Sequence, residues 1–259
     1  MIRSLFTSIF LMIASVVSAG NLEELLTADD AAAWHGVGRL NLGSNAMCTG
    51  ALIAPNQVLT AAHCFFDDTT MKQLDPSEVI FLAGWRNGRA AASRLASRIV
   101  IHKDYSPDLP LRDAVAVDIA LVELIHPIDH NAAVPFELEN QPRVGKELTV
   151  VSYAKDRSEA PSIEMGCKVL DRTNRIITAD CDVDFGASGS PIFVMNDGTP
   201  RIASVVSAMA QTDVHGKFSI GVALGAPLDE LRRQLEFDDN VFQRKRPGAG
   251  SLAEQLGRQ

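Results

Sequence analysis

The sequence predicts an all-β fold in two halves, on three observations. Short apolar segments rich in β-branched residues recur with turn residues between them. The dipeptides Asn87-Gly88 and Asp197-Gly198 are hairpin signals, because Asn, Asp and Gly tolerate positive φ. A polar stretch from His126 to Lys146, carrying Pro127, Pro135 and Pro142, divides the series and reads as a linker. Of 259 residues, 46% are hydrophobic and 22% charged, enough apolar material for a full core and too much for a disordered chain. The net charge of −8 argues against a phosphate-seeking surface, and an aromatic content of 6% argues against base stacking, so nucleic acid is excluded as a partner.

Taken in order, residues 1–19 read as a signal peptide. Arg3 is the one basic residue, an apolar run spans Leu5 to Val17, and Val17-Ser18-Ala19 supplies small residues before a cut after Ala19. The run is too short, at 1.5 Å per residue, to cross about 30 Å of hydrocarbon. The mature chain is therefore expected to be secreted or periplasmic, with no membrane partner. Residues 20–33 form an N-terminal segment or short pro-segment. Strands are expected at 37–42, 50–53, 58–61, 79–83, 98–102 and 119–124, then at 148–152, 168–170, 176–178, 191–194, 202–207 and 218–223. Leu228, Leu231 and Leu235 share a helical face, which predicts a short helix over 227–236, and residues 237–259 are expected to be a flexible tail.

An exported chain with four cysteines, Cys48, Cys64, Cys167 and Cys181, is expected to form disulfides, and three pairings are open. Zinc is the rival, but neither a CxxC nor an HExxH pattern occurs. His126 and His130 have helical spacing, yet Pro127 disfavours the helix. Asp67-Asp68 and Asp238-Asp239 lack a calcium-loop pattern, so no metal and no cofactor are predicted.

Three motifs carry chemistry. Leu59-Thr60-Ala61-Ala62-His63-Cys64 is a small-residue turn that ends on a histidine. Asp118 opens the apolar strand Ile119–Leu124, where a carboxylate needs a hydrogen-bonding or cationic partner. In Phe185-Gly186-Ala187-Ser188-Gly189-Ser190-Pro191, two glycines flank a serine, so the backbone can approach a ligand closely with its N–H groups facing an oxyanion.

Together and in this order, the motifs resemble the trypsin/chymotrypsin-like serine proteases, over roughly residues 34–236. Cys48-Thr49-Gly50-Ala51-Leu52-Ile53 with Thr60–Cys64 matches the family's histidine region. The resemblance implies two antiparallel six-stranded β-barrels with a short C-terminal helix, and a Cys48–Cys64 disulfide. A bond from Cys167 to Cys181 would then tie two strands of the second barrel. It further implies a serine endopeptidase acting on protein or peptide substrates. Ser188 would attack, His63 would take its proton, and Asp118 would orient the imidazole. The N–H groups of Gly186 and Ser188 would form the oxyanion hole. Asp113 competes for the acid role, but Asp118 is the one that opens the apolar strand.

Departures from the digestive enzymes are informative. Ala187 stands where those enzymes carry the aspartate that pairs with a new N-terminus, so that switch is not expected. The Gly-x-Ser-Gly-Ser-Pro form resembles exported bacterial relatives, including the glutamyl endopeptidases. Ser207, Ala208 and Met209 fall on the strand that pairs with substrate, Gly221 on a pocket wall, and Asp182 where a trypsin binds Arg or Lys. Val206 replaces the histidine of the glutamate-specific relatives, which disfavours glutamate preference. The first barrel is expected over 34–133 and the second over 134–236. The alternative function is a catalytically inactive binding protein on this fold, whose sign would be a missing triad residue. The sequence assigns no oligomeric state.

Overall fold

A computed structural model describes residues 22–43, 46–67, 69–139, 142–183, 186–212 and 216–245. The predicted leader at 1–19 lies outside the described residues. The chain opens with β1 (Leu22–Glu24) and the short helix α1 (Ala28–Ala32), whose Thr27 side chain caps Asp30 N–H. The first half then runs β2 (Val37–Leu42), β3 (Ala46–Ala54), β4 (Gln57–Thr60), β5 (Val79–Ala83), β6 (Ala92–Ile101), helix α2 (Leu111–Val115) and β7 (Ala120–Leu124). After β8 (Glu137–Leu138) come β9 (Glu147–Ala154), β10 (Arg157–Arg172), β11 (Ile176–Ala179), β12 (Pro191–Asn196), β13 (Thr199–Thr212), β14 (Gly216–Ala223) and α3 (Gly225–Lys245).

Each expected strand appears, and the strands close into two antiparallel barrels. The first has the order β2-β3-β4-β7-β6-β5, with β5 returning to β2. In the second, β10-β11-β14-β13-β12-β9 closes because β9 also pairs with β10. The run Glu147–Ala154 is apolar on both faces because β9 serves two cores. Leu148 and Val150 face the interior of the second barrel, while Val151 and Tyr153 join the larger core that includes the first barrel. The two hairpins form as expected: Asn87 (φ +46°) with Gly88 (φ +79°), and Asp197 (φ +49°) with Gly198 (φ +81°).

Both ends of the described chain take definite form, and the C-terminal one differs from expectation. Residues 22–24 are a strand on β10, and Leu25 and Ala31 are buried, so this segment is built into the fold. The helix continues past residue 236 to Lys245, which corrects the expected tail at 237–245. The apolar stripe ends at Leu235, but a helix already nucleated on the core propagates through residues that lack a breaker. Residues 246–259 lie outside the described residues.

One ion-pair cluster, centred on buried His102, ties α3 to both barrels. His102, at the end of β6, places Nε2 2.8 Å from Glu230 Oε2, and Arg175 Nη2 lies 3.2 Å from Glu230 Oε1. Burial holds the His102 imidazole below its usual pKa, against the opposing pull of the Glu230 and Asp104 carboxylates. The unfolded chain therefore takes a proton near pH 6.5 that the folded chain resists. The stabilisation is complete above that pH and lost as pH falls towards the folded value. His102→Gln should thus differ most from the parent in melting temperature at pH 8, with the gap narrowing below pH 6. A gap that stays constant with pH would count against this account.

Candidate active site

His63, on the turn after β4, and Asp118, just before β7, lie side by side because β4 pairs with β7. Asp118 is buried and accepts two hydrogen bonds from one histidine. His63 N–H reaches Oδ1 at 2.8 Å, and Nδ1 lies 2.6 Å from Oδ2. The carboxylate thereby holds the proton on Nδ1 and leaves Nε2 as the acceptor. The His63 side chain is 34% exposed and that of Asp118 4%, so a substrate can reach the imidazole but not the acid. Asp113 sits exposed on α2 and takes no part in this contact.

Ser207, on the second barrel, donates its hydroxyl to the same Asp118 Oδ2 at 2.5 Å. The register of β13 against β14 shifts between Val206 and Ala208, so Ser207 occupies an irregularity in the ladder. Such an extra residue re-aims a side chain, here across the gap between barrels. The sequence reading placed Ser207 on the substrate-pairing strand and missed this contact, since a bulge leaves no mark in residue order.

Ser188 follows Gly186 (φ +96°) and precedes Gly189 (φ +78°). Its carbonyl accepts Thr49 N–H at 2.9 Å, and the Thr49 carbonyl accepts the Thr60 hydroxyl at 2.8 Å. Thr60 leads through Ala61 and Ala62 to His63, so the serine loop and the histidine turn are anchored on one buried residue. Thr49 also accepts Tyr153 N–H at its hydroxyl at 3.0 Å, which links the barrels at this point. Thr49 and Thr60 are site-building residues that the sequence reading did not single out, although both lie in the segments quoted for the histidine region. Gly189 N–H binds the Val206 carbonyl and Ser190 N–H the Ala187 carbonyl. Among the described residues, the N–H groups of Gly186 and Ser188 have no acceptor.

The remaining candidates fall nearby. Ala208 and Met209 pair with Ile220 and Ser219, Met209 is exposed, and Gly221 pairs with Val206. A side chain at Gly221 would meet Ser204 Oγ at 2.3 Å. Ala187 is buried among Val183, Val206 and Val150 in the interior of the second barrel. Asp182 departs from its expected setting. Its side chain is half exposed and lies 3.3 Å from Lys217 Nζ, so it is already paired with a cation rather than free at the foot of a buried pocket.

Both disulfides form, Cys48–Cys64 and Cys167–Cys181. Each loop is worth about 3 kcal/mol on a chain-entropy model. Two groups of metal-type donors occur among the described residues. Cys48 and Cys64 beside His63 are consumed by their disulfide. In the other group, His102 Nδ1 accepts Asp104 N–H, which puts the proton on Nε2 and leaves no lone pair for an ion.

A family model described as Trypsin matches residues 28–226. Serine protease 56 of Homo sapiens is 32% identical over 139 residues, covering 51% of this chain and 21% of that protein. U21-ctenitoxin-Pn1a of Phoneutria nigriventer is 33% identical over 84 residues, covering 32% of this chain and 31% of that protein. The chain thus spans less than a third of the length of either relative. Among solved structures, a Glu endopeptidase in complex with MPD superposes with a TM-score of 0.69 at 18% identity, covering 85% of this chain and 99% of that one. A thermostable serine protease AL20 from an extremophilic microorganism gives a TM-score of 0.62 at 16% identity, covering 78% and 96%. These two likenesses are of fold.

Proposed function

The chain belongs to the trypsin family, and from that premise we propose that it is an exported serine endopeptidase working through His63, Asp118 and Ser188. The observation that carries the reading is the carboxylate of Asp118, buried and bound at once by His63 Nδ1, His63 N–H and Ser207 Oγ. A buried acid spent on orienting an exposed imidazole has a clear use in proton transfer and little use in packing.

In this reading Ser188 Oγ attacks the substrate carbonyl while His63 Nε2 takes its proton. The negative charge that develops on the carbonyl oxygen is held by the N–H groups of Gly186 and Ser188. The imidazolium, stabilised by Asp118, then protonates the leaving amine, and the acyl group stays on Ser188 Oγ. Water, deprotonated by His63, releases the acid by the reverse path. No cofactor enters the cycle.

Export is supported by the leader-like residues 1–19 and by two disulfides, which persist in oxidising compartments. No described helix is long and apolar enough to cross a membrane. The packing of β1 and α1 on the body of the protein supports residues 22–33 staying on the mature enzyme.

Fluorophosphonate labelling of residues 20–259 tests the reading. One adduct per chain is expected by intact mass, absent from Ser188→Ala and absent after unfolding. Oxidised, folded protein that takes no adduct would move the protein to the inactive binding class.

A further inference from the structure

Resting on the endopeptidase reading, we propose that Glu164 is a positioning residue for the nucleophile loop. Its buried carboxyl holds Asp182 N–H and so aims the segment that carries Gly186 and Ser188.

The need for such an anchor shows in the chain that leads to Ser188. Residues 179–182 run alongside β10. Ala179 pairs with Val169, Asp180 N–H donates to the Lys168 carbonyl, and Lys168 N–H donates to the Asp180 carboxylate. The Cys167–Cys181 disulfide follows. There the backbone pairing stops, because both edges of β10 are occupied further on. β1 takes one edge, with Leu22 opposite Glu164, and β9 takes the other, with Val150 opposite the same residue. Asp182 therefore has no free stretch of β10 to pair with, and a side chain supplies the acceptor: Glu164 Oε2 lies 2.8 Å from Asp182 N.

Among the described residues this is the last hydrogen bond before Gly186. Val183 and Ala187 are buried in the apolar cluster of the second barrel. Such contacts hold a segment close without fixing its direction. Ala187 brings no charge of its own to the loop. The disulfide places Cys181, and the hydrogen bond at the next peptide sets the plane in which the chain leaves it.

Glu164 suits the task because it has little freedom to move. It is 6% exposed, and its backbone is held by strands on both sides, whose facing residues Val150 and Leu22 carry no charge. Arg157, also on β10, is the cation that acts on it, with Nε and Nη2 buried and unpartnered among the described residues. Lys217 is turned to Asp182. Burial above all, with Asp182 and Asp180 adding to it, pushes the Glu164 carboxyl up to about 7. A protonated carboxyl still accepts through its carbonyl oxygen, so the tether depends on reach rather than on charge.

Two variants separate reach from charge. Glu164→Asp keeps the carboxyl but is one methylene too short for Asp182 N–H. Glu164→Gln keeps the length and an acceptor oxygen. The readouts are the second-order rate of fluorophosphonate labelling and kcat/KM on a peptide amide. Both are taken per folded molecule and well below each melting midpoint, so a loss of stability alone moves neither. Glu164→Asp should lower both about a hundredfold, the effect of displacing a reacting group by ~1 Å. Glu164→Gln should restore both to within about threefold of the parent. An aspartate variant as fast as the parent, or a glutamine variant as slow as the aspartate one, overturns the proposal and leaves the endopeptidase reading standing. A folded parent that takes no fluorophosphonate overturns that reading, and the proposal falls with it. Should Glu164→Asp fail to fold, hydrogen exchange in the parent decides. Asp182 N–H is expected to be as protected as the amides of β10, and exchange at the rate of an exposed turn overturns the tether.

Discussion

Asp118→Asn is expected to lower kcat on peptide amides about ten-thousand-fold while the fold survives. The reason lies in which atom meets which donor. Oδ1 accepts the backbone N–H of His63, so an asparagine must keep its oxygen there. Its NH2 group then faces Nδ1, where Oδ2 stood 2.6 Å away. Nδ1 is forced to accept, the imidazole proton moves to Nε2, and the histidine can no longer take a proton from Ser188. The Ser207 hydroxyl loses its acceptor at the same site. Single-turnover kinetics on an activated ester and on an amide would measure the loss. A drop of less than tenfold would mean that Asp118 does not govern the tautomer.

Gly189→Ala should be the most damaging of the small substitutions, at roughly 3–5 kcal/mol of folding stability together with loss of the nucleophile's placement. A Cβ there would come within 2.1 Å of Thr60 Oγ1 and 2.3 Å of the Thr49 carbonyl, at a φ of +78°. Both atoms belong to the hydrogen bond that ties Thr60, on the way to the histidine turn, to Thr49, whose N–H in turn holds the Ser188 carbonyl, so neither can move without disturbing the site. Gly88→Ala is the control. Its φ is +79°, but nothing lies within 4 Å of the added carbon, so only the backbone penalty of about 1 kcal/mol remains. Denaturation midpoints of the two variants separate contact from conformation. Equal losses would remove the steric argument.

Much of this molecule is legible in one dimension. Short apolar segments rich in β-branched residues, bounded by turn residues, located the barrel strands, since such side chains pack well on a pleated surface. Asn87-Gly88 and Asp197-Gly198 worked as hairpin signals because their φ preference is local. The helix end was not legible: Gly225–Lys245 outruns its apolar stripe because propagation depends on a nucleus formed by packing. Nor was β1, whose three residues have no pattern long enough to read.

The candidate site divides in the same way. His63, Asp118 and Ser188 stand in short motifs whose neighbours are dictated by local needs, such as glycine where φ is positive, small residues where backbones touch, and an acid at the head of a buried strand. Taken together and in order, they resemble the trypsin/chymotrypsin-like pattern, which marks them as candidates. What sequence could not decide is which groups from distant strands meet them. Ser207 reaches Asp118 only because a ladder irregularity turns it across the barrel gap. Thr49 holds Ser188 from 139 positions away in the chain. Asp182 is diverted to Lys217, and its N–H is held by Glu164 from a different strand. Strand identity, turns and the candidate reactive residues are marked by local patterns written in the sequence. The partners that orient those residues are set by barrel closure and register, where a one-residue slip would send each side chain to the opposite face.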